Sequence, residues 1–133
     1  MIIGIQPPQG SGPALQDGQW LNGLAGGGNN SYTNALVAHS GGTKAAALQI
    51  AASIKIVFFG TVAADHDSAL LPAAKTRSMV LVYNGGASIL DLYGKGTDTI
   101  NGVATATAYS LNANTSALFF CGKDGQWAAI KTA

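Results

Sequence analysis

The sequence predicts an all-β fold, a small β-sandwich of jelly-roll-like form that carries an extended N-terminal arm. From residue 44 onward, short apolar runs recur at roughly ten-residue spacing, with Gly, Asn and Asp clusters between them. Before residue 44 the chain is instead rich in Gly, Pro, Asn, Gln and Ser. Many short strands separated by turn signals are typical of sandwiches and barrels. We therefore divide the chain into an arm, residues 1–43, and a sandwich domain, residues 44–133.

The arm contains too few apolar residues to form a core of its own. Two alternatives follow: a flexible tail, or an extended arm whose apolar residues dock onto another surface. Aromatic anchors dominate protein interfaces, and a tail has no need of them, so the docked arm is favoured. The residues expected to contact the partner are Ile2, Ile3, Ile5, Trp20, Leu21 and Tyr32.

The sandwich domain is predicted from five apolar runs that are rich in β-formers. They are Ile54–Phe59, Met79–Tyr83, Ser88–Tyr93, Ala117–Cys121 and Gln126–Lys131. Turns are expected at 84–86, 94–96, 101–102, 112–114 and 123–125. Residues 44–52 have helical propensity but no helical apolar stripe, so we interpret them as the start of a strand.

Asp65, His66, Asp67 and Ser68 form the one local cluster that combines acid, base and nucleophile types. A catalytic triad needs side chains that converge in space, whereas neighbours on an extended chain point to opposite sides. The two aspartates can share a face, but two carboxylates are too few for a calcium site. A polar turn before the following apolar residues is the favoured interpretation.

Other polar features also lack the spacing of a known site. His39 is isolated, and neither Gly26–Gly28 nor Gly94–Thr97 matches a phosphate-binding loop in spacing or context. Cys121 is the one cysteine and lies in an apolar run, which indicates a buried, inert thiol. We assign no catalytic, cofactor-binding or metal-binding residue, expect no cofactor, and predict that the protein is not an enzyme.

A Gly-, Asp- and Thr-rich stretch follows the third run, and its residues have structural explanations. Gly96 and Gly102 can adopt positive φ, Asp98 can cap a turn, and Ile100 can fill the end of the sandwich. The alternation over residues 103–107 predicts a resumed strand. This stretch is therefore expected to be a turn rather than a ligand loop.

The charge distribution argues against nucleic-acid and membrane partners. The formal net charge is +1 and the lysines are scattered singly, so no basic stripe is present. No window approaches the roughly 20 apolar residues of a membrane span. Charged residues make up only 10%, against about 25% in typical soluble domains. Such a surface suits a protein that packs against copies of itself or a larger partner.

Several motifs recur in the order seen in one known class of proteins. They are Asp67-Ser68, Leu71-Pro72-Ala73, Val82-Tyr83-Asn84-Gly85-Gly86-Ala87, Asp98-Thr99-Ile100-Asn101-Gly102 and Gly125-Gln126-Trp127, with the leader Asp17–Gly27. This pattern resembles a module of tailed-bacteriophage virion proteins, the capsid decoration or cement proteins above all. The likeness covers most of the chain.

The resemblance implies a small non-enzymatic β-sandwich on the phage head surface, made in the host bacterial cytoplasm. Its partners would be the major capsid protein, whose mature shell it stabilises, and copies of itself, with a trimer favoured over a dimer. The alternative is a tail-fibre or head-fibre module that binds a host receptor or glycan. That alternative expects exposed aromatic residues in a groove, such as Trp127 or Tyr109, although core or interface burial is favoured for Trp127.

Overall fold

The computed structural model describes residues 31–132, and this part of the chain is built from short β-strands, as the sequence predicts. The strands are β1 (Ser31–Val37), β2 (Leu48–Gln49), β3 (Ile54–Thr61), β4 (Asp67–Leu70), β5 (Met79–Asn84), β6 (Leu90–Tyr93), β7 (Thr99–Ile100), β8 (Tyr109–Leu111), β9 (Thr115–Lys123) and β10 (Gln126–Lys131). A single 3-10 turn, Lys44–Ala46, precedes β2. Within the described residues, no helix has the length and apolar character needed to cross a membrane.

The described strands form two sheets, and the chain alternates between them. One sheet has six strands in the order β1-β3-β5-β9-β10-β7, and the other has four in the order β2-β4-β6-β8. From β1 to β9, each strand lies in the opposite sheet from its predecessor. Strands β2, β4 and β6 pair in parallel, as do β3 and β5. Antiparallel pairing is found where β8 joins β6 and where β9 joins β5 and β10.

This connectivity corrects the jelly-roll expectation, although the all-β prediction is confirmed. A jelly roll is built from antiparallel neighbours, whereas here the chain coils through both sheets and returns beside its earlier turn in parallel, as in a short β-solenoid. The physical reason lies in the turns. A Gly or Asn corner looks the same in sequence whether it reverses a strand into a hairpin or leads the chain into the opposite sheet.

The core lies between the two sheets. The six-stranded sheet contributes inward side chains such as Val57, Val82 and Phe119, and the four-stranded sheet contributes Leu90 and Leu92. All five are fully buried. Residues of both sheets thus form one apolar cluster. Each strand therefore turns one face toward this cluster and the other face away from it.

The strand predictions are confirmed over most of the domain. Strands β3, β5 and β9 contain the predicted runs, β10 has the predicted bounds, and the run at 88–93 is shortened to 90–93. Turn predictions at 101–102 and 123–125 are supported by positive φ at Asn101, Gly102 and Gly125.

Three local predictions are corrected. Residues 44–52 contain a 3-10 turn and the two-residue β2 rather than one continuous strand. Residues 103–107 lie in the connection between β7 and β8 instead of forming a strand, and Lys44 Nζ donates to the Thr105 carbonyl, which ties this segment to another loop. Asp67 and Ser68 begin β4 and are buried, so only Asp65 and His66 of that cluster form the predicted turn.

The segment predicted as the arm is only partly described. Residues 1–30 lie outside the described residues. The stretch Ser31–Val37 forms β1, the edge strand of the six-stranded sheet. One compact unit of the chain begins at Tyr32.

Candidate interaction surface

The carboxylates of the Asp65–Ser68 cluster are occupied by backbone donors. Asp67 is 3% exposed, and its two oxygens accept the N–H groups of Ala63, Ala64 and Gly41 at 3.0, 3.1 and 3.3 Å. Asp65 accepts the N–H of Ile89 at 3.0 Å. Backbone N–H groups thus occupy both oxygens of Asp67 and one oxygen of Asp65. Among residues 31–132, no group of three His, Cys, Asp or Glu side chains is placed to hold a metal ion.

His66, Asp91 and Ser110 meet in space but do not have the order of a catalytic triad. His66 Nδ1 lies 2.9 Å from one oxygen of Asp91, and Ser110 Oγ donates to the other oxygen at 2.6 Å. In a serine hydrolase the imidazole contacts the hydroxyl and the carboxylate contacts the imidazole. Here the carboxylate lies between the two. It accepts the hydrogen bond of the Ser110 hydroxyl, and the His66 imidazole contacts the carboxylate instead of that hydroxyl. The arrangement anchors the His66 turn to the sheet.

The four-stranded sheet has a polar outer face that the chain itself covers. The register places Ser68 beside Asp91 on this face. Ser68 Oγ donates to the carbonyl of Gly41 at 2.8 Å, and the Tyr93 hydroxyl donates to the carbonyl of Gly42 at 2.6 Å. Ser68, Asp91 and Tyr93 are all buried as a result. Burial, followed by the negative charge of Asp91, raises the pKa of Tyr93 above its ordinary value of 10.0.

The six-stranded sheet has the opposite character, because its outer face is apolar. Burial alternates along β5, where Val80 and Val82 point into the core and Met79 and Leu81 point away from it. The register continues this outer set across β3, β9 and β10. The rows across the sheet are Ile56, Leu81, Leu118 and Ile130; Met79, Phe120 and Ala128; and Phe58, Tyr83 and Ser116.

These ten residues define what we call the outer apolar face. Its larger aliphatic members are well exposed, with 51% for Met79, 45% for Ile56 and 64% for Ile130. None of the ten is charged. Fully burying an aliphatic or aromatic side chain stabilises by about 1.5–3 kcal/mol, so covering a half-exposed one contributes about 1 kcal/mol. A face with several such residues is therefore a surface for contact with another apolar surface.

Two aromatic rings pack against each other at one end of this face. The rings of Phe58 and Tyr83 lie side by side with centroids 4.7 Å apart. Gly85 lies two residues after Tyr83, and the Phe58 ring occupies the space that a Cβ at Gly85 would need. Packed rings on a sheet lose little further freedom when a partner covers them, which favours binding.

The residues predicted to contact a partner fall almost entirely outside the described part. Ile2, Ile3, Ile5, Trp20 and Leu21 lie within residues 1–30, and no placement is described for them. Tyr32 lies on the edge strand β1 and is 66% exposed.

Neither aromatic residue named for the glycan alternative presents a freely exposed ring, although Trp127 borders an open depression at the β9–β10 hairpin. Trp127 is 1% exposed, and its indole N–H donates to the Pro72 carbonyl at 3.3 Å, so its favoured assignment to the core is confirmed. Tyr109 is half-buried, with its ring edge-on to Phe119 and Lys131 Nζ 5.3 Å from its centroid.

An open depression of about 370 Å³ lies beside the β9–β10 hairpin. Phe120, Lys123 and Gln126 line it, together with Gly122. The side chain of Asn101 also borders it but is engaged with the backbone of Ala129, whose N–H it accepts at 2.8 Å. An aromatic ring beside free amide and ammonium groups is a combination that can hold a sugar.

Sequence reasoning did not identify the outer apolar face, because an apolar run such as Met79–Tyr83 is also typical of a strand buried on both sides. The sequence indicates this face in Ile54–Phe59 and Met79–Tyr83, because residues at both even and odd positions are apolar, apart from Lys55. Together with the low charge content, such runs are equally consistent with a sheet that faces a partner.

Comparisons with protein-family models, with curated proteins and with solved structures give no match for this chain.

Proposed function

We propose that the chain is a non-enzymatic virion structural protein of a tailed bacteriophage, a capsid decoration protein on the outer surface of the major capsid protein shell. The observation that carries this proposal is the outer apolar face, which is suited to the self-association that the resemblance to decoration proteins implies. The clustered acidic groups are meanwhile engaged with the chain itself, as at Asp67 and Asp91. The Asp67–Trp127 motifs resemble phage virion modules, and this resemblance is the reason for proposing a location on the virion.

The proposed action is stabilisation by binding. A protein that binds the assembled shell, but not its separated subunits, stabilises the shell by mass action. In this proposal the N-terminal arm of the small β-sheet domain contacts the capsid through Ile2, Ile3, Ile5, Trp20, Leu21 and Tyr32. Thirty extended residues span on the order of 100 Å, which is enough to cross a subunit boundary. Self-association belongs to the proposal, with a trimer favoured over a dimer by analogy with decoration proteins.

Deletion of residues 2–24 tests the role of the arm. We expect the truncated chain to remain folded, because the compact unit begins at Tyr32, and to lose affinity for expanded capsids. Co-sedimentation with capsids measures binding, and circular dichroism checks the fold. Binding at unchanged affinity would exclude the arm as the capsid contact.

Imaging of virions that carry a labelled protein tests the location, and label on the tail would contradict decoration.

The second candidate is a fibre module that binds a host receptor or glycan, and the depression beside the β9–β10 hairpin favours it. A glycan array with the intact protein tests this candidate. If a sugar binds in the depression, Phe120→Ala should lower the affinity by about tenfold, since stacking on a ring contributes on the order of 1 kcal/mol. Tyr32→Ala is the matched control, because Tyr32 is an exposed aromatic residue away from the depression.

A further inference from the structure

The outer faces of the two sheets differ: the chain covers the polar one, and the apolar one is exposed over the described residues. Over the four-stranded sheet, residues 41–43 accept hydrogen bonds from Ser68 and Tyr93, so that face is closed by the chain. Over the six-stranded sheet, the described residues leave Ile56, Met79 and Leu81 between 39% and 51% exposed.

We infer that the outer apolar face is the contact between copies of this chain. The face carries no charge, and the whole chain has a net charge of only +1, so two copies approach without repulsion. A second copy presents the same flat rows of aliphatic and aromatic side chains. Two such faces can pack about a twofold axis, in which the same patch serves on both molecules, so this contact gives a dimer rather than the trimer that the analogy with decoration proteins favours. Stacked sheets lie about 10 Å apart, a spacing that side chains of this size fill.

The size of the face is that of the apolar centre of such a contact, about half of the area that a standard interface buries on each partner. Neighbouring strands are about 4.8 Å apart and successive outward residues about 7 Å apart, so four strands and three rows cover on the order of 400 Å². A standard interface buries about 800 Å² per partner and consists of an apolar core within a polar rim. The outer apolar face has the dimensions of that core. Thr132, whose hydroxyl is hydrogen-bonded to the backbone of Ser116 at one end of the rows, begins its rim.

The contact can be tested with a charge placed at its centre. Leu81 lies in the middle row, paired with Ile56 on one side and Leu118 on the other, and Leu81→Lys would place an ammonium group between two apolar faces. Val103→Lys is the matched control, because Val103 is exposed to a similar extent, 42% against 39%, but lies in the turns after β7. Sedimentation velocity of the full chain, at concentrations from about 1 to 100 µM, measures association.

We expect the wild-type chain and Val103→Lys to associate alike, and Leu81→Lys to associate at least about 100-fold more weakly. A wild-type chain that stays monomeric throughout this range would overturn the inference, and so would a Leu81→Lys variant that associates like the wild type. Circular dichroism establishes that each variant is folded. If Leu81→Lys fails to fold, Ile130→Lys in the same row decides the matter, because Ile130 is 64% exposed and its side chain contributes little to the fold.

This inference does not depend on a virion location. Association is measured with the isolated protein, without capsids or tails. Label found on the tail would contradict the decoration proposal and leave the self-contact intact. A monomeric protein that still binds capsids would overturn the self-contact alone.

Discussion

The Tyr93 hydroxyl helps to hold residues 41–43 over the polar outer face of the four-stranded sheet. Its hydroxyl donates to the Gly42 carbonyl at 2.6 Å while Asp91 lies nearby. Ionisation would remove the donor and place a second negative charge beside the first. Burial and Asp91 therefore raise the pKa of Tyr93, so the folded state favours the neutral phenol.

Tyr93→Phe should make stability less sensitive to alkaline pH. Because the folded pKa is raised, the contribution of Tyr93 is fully present below the unfolded value of about 10 and is lost as pH rises through the folded pKa. Below pH 10 we expect the variant to unfold with a free energy about 1 kcal/mol lower, for the missing hydrogen bond. Urea unfolding between about pH 7 and 11 measures both effects. Tyr32→Phe, at an exposed tyrosine, should match the wild type, and equal alkaline slopes for Tyr93→Phe would contradict the prediction.

Asp67 is expected to be the most sensitive carboxylate in the described domain. Asp67→Ala would leave the N–H groups of Gly41, Ala63 and Ala64 without their acceptor. The expected loss is about 2–4 kcal/mol in the free energy of unfolding, measured by urea titration. Asp65→Ala removes the acceptor of a single exposed N–H and should cost less than half as much. Equal losses for the two variants would show that burial of Asp67 adds nothing.

At the scale of elements, the corner after β5 depends on close backbone contact. Gly86 lies against Val62, and a Cβ at Gly86 would clash with the Val62 backbone nitrogen. This corner leads the chain out of the six-stranded sheet toward β6. The coil through both sheets therefore requires glycine at this position, whereas a hairpin would require a different backbone path.

Gly86→Ala and Gly122→Ala should differ sharply. Gly86→Ala forces two backbone segments apart and should lower the free energy of unfolding by about 2–4 kcal/mol. Gly122 lies in β9 with open space where its Cβ would be, so Gly122→Ala should be neutral or stabilising by up to about 1 kcal/mol. Thermal unfolding of both variants measures the contrast. A stable Gly86→Ala variant would contradict the contact with Val62.

For the whole molecule, the outer apolar face makes stability depend on assembly. If copies pack through this face, the folded state gains stability from mass action. We expect the melting temperature of the wild type to rise by about 2–3 °C for each tenfold increase in protein concentration. Differential scanning fluorimetry over a dilution series measures it. Val103→Lys should retain the dependence and Leu81→Lys should lose it, whereas a concentration-independent wild type would argue for a monomer.

The sequence by itself determined the positions of β3, β5, β9 and β10 and several turns. Runs such as Met79–Tyr83 and Gln126–Lys131 form strands because β-branched and aromatic side chains fit a pleated, half-buried surface. Gly102 and Gly125 adopt positive φ because they have no Cβ to resist it. Burial of Trp127 and Cys121 followed from their apolar surroundings in the chain. These are local properties, and neighbouring residues are sufficient to specify them.

Only the tertiary structure decided how the strands pair and which faces they leave open. A corner at Gly86 specifies a change of direction, but contact with Val62 decides that the chain enters the other sheet. Asp67 looks like a turn residue until the N–H groups of distant Gly41 and nearby Ala63 bury it in β4. Leu81 looks like a core residue until the register places it on the outer face, because pairing between strands far apart in sequence assigns each apolar residue to the core or to a partner.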